Sequence, residues 1–246
     1  MKLIDLNCDV GEGMSTDEAI IPLISSANIA CGFHAGDENT MKKTIELCLK
    51  YDAAIGAHPS WPDKKNFGRT EIKVVPIELY DYMMEQLNTI ETIANKLGTK
   101  LHHIKPHGAL YNQSAKDKTI AAIIAKAVKD YNPSLILYGL SGSISIKEAQ
   151  AIGLQTAQEV FADRTYIDNG SLTPRSLTNA LIKVAATAAQ QSLQMILQNT
   201  VTTTSGKCIP ITADTICLHG DGKHAVNFCK TIIEQLKNSN IEIKAL

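Results

Sequence analysis

The sequence predicts an α/β fold in which seven parallel strands close into a barrel. Short apolar runs ending at Gly, Pro or polar residues recur along the chain, and segments of helical period lie between them. Within most runs, residues of one parity are apolar and those of the other are polar or small. Strands that alternate with helices imply a parallel sheet with right-handed crossovers, and 246 residues suit one (β/α) barrel, here a single domain over 1–246.

Leu3 to Val10 is the first strand, with Ile4, Leu6, Cys8 and Val10 on one face and Asp5, Asn7 and Asp9 on the other; Gly11 and Gly13 end it. Thr16 suits the N-cap of a short helix reaching Ile24. Ala27 to His34 repeats the design, with Ile29, Cys31 and Phe33 facing one way and Asn28, Ala30, Gly32 and His34 the other. Asp37 can cap the next helix, whose apolar positions include Met41, Ile45 and Leu49. The third strand, Ala53 to His58, puts Ala54, Gly56 and His58 on one side and stops at Pro59. The irregular stretch 60–75 holds the only Trp, Trp61, together with Phe67 and Arg69; a loop this long is expected to bind or cover something, and its aromatic anchors predict order. Pro76 opens a helix to about Leu97, with Gly98 as its stop signal.

The fourth strand lies in the stretch Leu101 to Asn112, LHHIKPHGALYN, and is stopped by Pro106 and Gly108; in it His103, Lys105 and His107 point together while Ile104 and Pro106 point away. A helix over about 117–130, an apolar fifth strand at Leu135 to Leu140 and a helix near 144–151 follow. In the sixth strand, TAQEVFADR, Glu159, Phe161 and Asp163 share one face and Arg164 sits at the tip. An Ala-rich helix is predicted over 174–197, then a β-hairpin near 200–211 split at Ser205-Gly206. The seventh strand, ADTICLHGD, ends in His219 and Asp221, and Gly222 opens a last helix to about Leu236.

A net charge of -1 with both signs dispersed gives no footprint for nucleic acid and no polybasic membrane patch. No apolar run approaches the roughly 20 residues of a membrane span. Six cysteines without a CxxC pair fit free thiols in a reducing compartment, so a soluble, cytoplasmic protein is expected.

Five of the seven histidines, His34, His58, His103, His107 and His219, fall on the inward face near a strand's C-terminal end, where barrel enzymes place their chemistry. Ala30, Gly32, Ala54 and Gly56 leave room there instead of the Val, Ile and Leu layers of a purely structural interior. Two chemistries remain open. Asp9, His58 and His107 could hold a hydrolytic metal, or Asp9 or a His could serve as general base with Lys105 as charge stabiliser and no metal. Nucleophilic catalysis is disfavoured: there is no GxSxG, Cys8 and Cys31 face the helices, and Cys217 reads as a small core residue. No GxxxxGK[ST] or GxGxxG occurs.

DLNCDVGEG (5–13), SANIACGFHAGD (26–37), IGAHPSWPD (55–63) with FGR (67–69), KPHGALYN (105–112), EVFADR with Tyr166, and ADTICLHGD (213–221) resemble, block by block and in order, the LamB/YcsF family. Ser60-Trp61 stands where that family more often has Gly-Tyr, and Thr70 where a second Arg is common. The resemblance implies a deacetylase-like seven-stranded barrel and membership of an ATP-dependent 5-oxoprolinase. Such an enzyme opens the lactam of 5-oxoproline to L-glutamate, releasing ADP and phosphate, and works with B and C partner subunits. ATP, with Mg on the nucleotide, is the implied cofactor. A lactam is a poor electrophile, and its hydrolysis becomes feasible once its oxygen is phosphorylated.

On that chemistry Asp9, assisted by His58 or His107, is expected to deprotonate water, and Lys105 to offset charge on the activated oxygen. Arg69 or Arg164 is expected to bind the substrate carboxylate. His34, Glu159, Asp163, His219 and Asp221 are expected to orient these groups or hold Mg-nucleotide, with Asn7, Glu12 and Asn28 also on the substrate side. The alternatives are a metal-dependent deacetylase of an N-acetylated sugar, with Asp9, His58 and His107 as ligands, and a non-catalytic subunit that presents substrate to its partners.

Overall fold

The computed structural model describes residues 2–218 and 225–246. In chain order the strands are β1 (Lys2–Val10), β2 (Ser26–Ala30), β3 (Ala54–His58), β4 (His103–Ile104), β5 (Ile136–Leu140), β6 (Gln155–Phe161), β7 (Thr200–Thr202), β8 (Cys208–Pro210), β9 (Thr215–Leu218) and β10 (Ile241–Ile243). Strands β1 to β6 and then β9 pair in parallel, and β9 returns to β1, so the seven-stranded barrel is closed. The expected hairpin is present as the antiparallel pair β7 and β8. Between strands run α1 (Asp17–Ile20), α2 (Glu38–Tyr51), α3 (Pro76–Lys96), α4 (Gly108–Lys116), α5 (Lys118–Tyr131), α6 (Ile144–Ala151), α7 (Ala185–Leu193) and α8 (Ala225–Asn238).

Local chemistry explains the helix ends. The Asp37 carboxylate accepts from Thr40 N at 2.8 Å to start α2, whose buried positions Met41, Thr44, Ile45 and Cys48 follow the helical period. Asp117 does the same for α5, accepting from Thr119 N and Ile120 N. Pro76 begins α3, and Gly98, at φ +75°, follows its end.

Three expectations need correction. The LHHIKPHGALYN stretch is extended as far as His107 and stops at Gly108, as expected, but Gly108 also starts α4, a helix ahead of the one expected from about Asp117. Lys105 N bonds to Ala57 O and His107 N to Pro59 O, so the inward parity of His103, Lys105 and His107 survives although β4 is brief. Second, residues 174–184 are irregular, and the helix begins at Ala185. The chain there folds back on the end of β6 through bridges pairing Arg164 with Leu181 and Tyr166 with Leu172, and Ile182 N bonds to Asp163 O. These tertiary bonds displace the helix that composition favours. Third, the C-terminal segment adds a strand, β10; its three residues pair in parallel with Lys2 to Ile4, too few for an alternation to be read.

Outward residues of the strands and inward residues of the helices form a continuous apolar layer that includes Leu6, Cys8, Ile29, Ile45, Ile104 and Ile216. The barrel interior is polar instead. Its lowest layer centres on Asp5, fully buried, which accepts from Ser25 Oγ (2.6 Å), Ser26 Oγ (2.7 Å), Tyr138 Oη (3.0 Å) and Thr215 Oγ1 (2.6 Å). Above it Asn28 Nδ2 donates to Asn7 Oδ1 (2.7 Å), Asn7 Nδ2 donates to Thr215 Oγ1 (2.7 Å) and Glu159 Oε1 (3.0 Å), and His103 Nε2 meets Asn28 Oδ1 (2.8 Å). The space left by Gly56 is filled by His103: a Cβ there would come within 2.1 Å of its Nε2. That ring also stacks on Tyr138 at 4.2 Å, so His103 belongs to the packed interior below the mouth.

Substitutions in this polar interior should be costly. Asp5→Ala strands buried hydroxyls of Ser26, Tyr138 and Thr215 and should cost about 3 kcal/mol or more in urea unfolding; a loss below about 1 kcal/mol would contradict its central place. Gly56→Ala should cost about 3 kcal/mol by forcing His103 off Asn28, and an unchanged melting temperature would show that the ring can yield.

Candidate active site

Lys105, 2% exposed, is the hub of the barrel mouth. Its Nζ lies 2.9 Å from Asp9 Oδ1, 2.8 Å from Glu159 Oε1, 3.2 Å from Asn7 Oδ1 and 3.0 Å from Cys217 Sγ. Burial opposes the ammonium charge, but Asp9, Cys217 and Glu159 outweigh it and hold the pKa well above the ordinary lysine value. Four partners surround its three N–H donors, so Lys105 fixes Asp9, and it lines the cleft beside it. Cys217 is fully buried, and burial pushes its thiol well up despite Lys105. Tyr111 lies beside Glu159; burial, then that carboxylate, pushes its phenol well up too.

Above Lys105 stand three histidines. His58, ending β3, donates from Nδ1 to Lys105 O at 2.7 Å, and its Nε2 lies 3.3 Å from Asp9 Oδ2. His107, carried by the extended continuation of β4, donates from Nε2 to Phe67 O at 2.9 Å. The remaining nitrogens, His58 Nε2 and His107 Nδ1, are 2.9 Å apart. His34, in the turn after β2, sets Nδ1 3.0 Å from Ser60 Oγ and Nε2 3.1 Å from Glu12 Oε1, and its ring stacks on His107 at 3.8 Å with 4° between planes. Burial, then the neighbouring His58, pulls His34 down to about 2 and His107 well below the ordinary range. Gly68, at φ +64°, is required here: a Cβ would come within 2.8 Å of the His107 ring and 2.9 Å of His34 Cβ.

Glu12, His34, His58 and His107 each offer one ligand atom, all within 4.8 Å of one another, and among the described residues they are the group that could hold a metal. Asp9, the third ligand expected with His58 and His107, stands beside His58 and outside that group.

These groups floor a cleft of about 620 Å³ whose lining includes Asp9, Glu12, His58 and His107, with Arg69, Arg164 and Arg175 around it. Arg164 is buried and donates from Nε to Ala180 O and from Nη2 to Thr173 O; burial, then Arg175, lowers its pKa to about 10. It ties down the wall segment 173–180. Arg69 and Arg175 are exposed at the rim, Arg69 lying over the Phe67 ring at 5.1 Å. The 60–75 loop is anchored by Trp61, whose Nε1 donates to Gln113 Oε1 at 2.6 Å. A carboxylate paired with a buried ammonium beside imidazoles, under exposed guanidinium groups, suits hydrolytic chemistry on a small anion.

Asp9, Glu12, His34, His58, Lys105 and His107 therefore come together, with Arg69 at the rim. Asn7, Asn28 and Glu159 are fully buried and form the layer that holds Asp9 and Lys105. Asp163 is half-buried at the end of β6, away from the cleft lining. His219 and Asp221 lie outside the described residues. Arg175, Tyr111 and Ser60 join the site without having been expected there. Arg175 is masked in the sequence by the helix expected over 174–197; Tyr111 and Ser60 stand in the quoted motifs, but Tyr111 sits on the unexpected helix α4 and Ser60 in a loop without periodicity.

The LamB/YcsF family model matches residues 4–246. Among similar proteins are the A-subunit of 5-oxoprolinase from Tolumonas auensis, 49% identical over all of both chains, and its counterpart from Staphylococcus haemolyticus, 50% identical over 99% of each. The crystal structure of a lactam utilization protein from Thermus thermophilus superposes over 100% of both chains with a TM-score of 0.94 at 37% identity. A family 4 carbohydrate esterase from Streptomyces lividans shares the fold, with a TM-score of 0.54 at 8% identity over 98% of this chain and 91% of its own. The chain belongs to the LamB/YcsF family.

Proposed function

We propose that this chain is the ring-opening subunit of an ATP-dependent 5-oxoprolinase, converting 5-oxoproline to L-glutamate. The observation that carries the reading is Asp9 at the cleft floor, with Oδ1 held by Lys105 and by Asn28 Nδ2 at 2.9 Å each and Oδ2 turned toward His58. The names of relatives about half identical over their full length support 5-oxoproline as the substrate.

In this reading B and C subunits supply phosphoryl transfer from Mg-ATP to the lactam oxygen, giving ADP and a cyclic imidate phosphate. Water adds to the imidate carbon as Asp9 takes its proton. The ring C–N bond then breaks, with the nitrogen taking a proton. A second water releases phosphate from the acyl phosphate so formed. Lys105 keeps Asp9 ionised, and Arg69 or Arg175 pairs with the substrate carboxylate. The imidazole–carboxylate cluster favours a second reading, a metal-dependent deacetylase of an N-acetylated sugar; chelator-sensitive acetate release without ATP, and no glutamate from 5-oxoproline with partners present, would establish it instead.

Glutamate release from 5-oxoproline and Mg-ATP, measured with the B and C subunits added, tests the first reading. Asp9→Asn should lower turnover about 10²–10⁴-fold with the fold intact, and near-normal turnover would remove Asp9 from the scheme. Arg175→Ala should raise KM about tenfold or more; an unchanged KM would assign the substrate carboxylate to Arg69.

A further inference from the structure

His58 and His107 turn one ring nitrogen each toward the other at the edge of the cleft. A backbone carbonyl only accepts, so His58 Nδ1 and His107 Nε2 each carry the ring proton, one toward Lys105 O and the other toward Phe67 O. The other two nitrogens, His58 Nε2 and His107 Nδ1, face one another at 2.9 Å. A third acceptor, Glu12 Oε1, lies 3.4 Å from His107 Nδ1. These three ligand atoms, all within 4.8 Å of one another and bordering the cleft, lie within reach of a single cation.

We propose that Glu12, His58 and His107 bind a divalent transition-metal ion, with an open position toward the cleft beside Asp9. Donors around a tetrahedral ion with bonds of about 2.0–2.1 Å stand about 3.3 Å apart; the two separations from His107 Nδ1, 2.9 and 3.4 Å, bracket that value, and all three atoms lie within 4.8 Å. Two imidazoles and a carboxylate form the donor set of hydrolytic zinc sites, and imidazole selects zinc, cobalt or nickel over magnesium or calcium. The His58 and His107 rings stand at 85° to each other, so one ion can lie near both ring planes. His34 cannot join His107 in this, because their planes are parallel and 3.8 Å separates the ring centroids. His34 is a positioning residue: held at Nδ1 by Ser60 Oγ at 3.0 Å, its ring sets Nε2 3.1 Å from Glu12 Oε1 and packs beside that carboxylate. A bound ion would act as Lewis acid on a water next to Asp9.

This site stands apart from the 5-oxoprolinase reading, and its test is binding rather than turnover. The full-length chain, stripped with chelator, is titrated with Co²⁺ while visible absorption is recorded, and Zn²⁺ is then added in competition. About one equivalent of Co²⁺ should bind with a ligand-field band that Zn²⁺ abolishes. His107→Ala should weaken binding at least about 100-fold and lose the band, whereas His34→Gln should weaken it about 10–100-fold and keep the band. Wild-type binding below about 0.1 equivalent would overturn the proposal and leave a proton shared between His58 and His107, even if His107→Ala failed to fold. Unchanged binding by a folded His107→Ala chain would overturn it as well. A chain that binds metal as described yet makes no glutamate with its partners would remove the functional proposal and leave this one standing.

Discussion

The buried ammonium of Lys105, between Asp9 and Glu159, is the constraint on which the rest of the barrel depends. Taking these ions out of water costs several kcal/mol each, and only close contact plus hydrogen bonds to the remaining lone pairs offsets it. That requirement runs down the interior. Glu159 is supported by Asn7, Asn7 by Asn28 and Thr215, and Thr215 by Asp5, so β1, β2, β6 and β9 are joined by polar side chains as well as by backbone pairing. An apolar interior would be simpler to stabilise, but it could not hold a carboxylate ionised at the mouth.

The mouth is built on strand ends and then closed by loops that are themselves tied down. His58 and His107 gain their orientation from carbonyls of Lys105 and Phe67, one in the continuation of β4 and one in the anchored 60–75 loop. Trp61 and Gln113 lock that loop to α4, and Gly68 lets it approach both His34 and His107. Opposite, Arg164 uses its guanidinium to hold the carbonyls of Thr173 and Ala180, keeping the wall that carries Arg175 in place. The barrel alone does not decide the chemistry: a carbohydrate esterase shares it at 8% identity. The side chains at the strand ends do.

Much of the site is legible in the sequence. Alternation along β1 puts Asp5, Asn7 and Asp9 inward, and the same parity puts His58, Lys105 and His107 there even though β4 is two residues long. Gly56 does leave room, as its residue type implies, but His103 takes it. A strand-end lysine reads as free to meet substrate; only the tertiary structure shows the three acceptors and the thiol around Lys105. Arg175 is hidden because an Ala-rich segment favours helix, while the backbone bonds that hold residues 173–182 open come from residues 163–166.

The sequence by itself determined which residues face the barrel axis, because a strand's period of two is local and needs no knowledge of its neighbours. It also determined the helix starts at Asp37, Pro76 and Asp117, where one side chain or ring acts within its own turn. Only the tertiary structure decided which inward groups meet. The pairing of Lys105 with Asp9 and Glu159 spans 96 and 54 positions, and the facing of His58 and His107 spans 49. Those meetings depend on the stagger between strands and on carbonyls supplied by distant loops, and no short-range pattern in the chain encodes either.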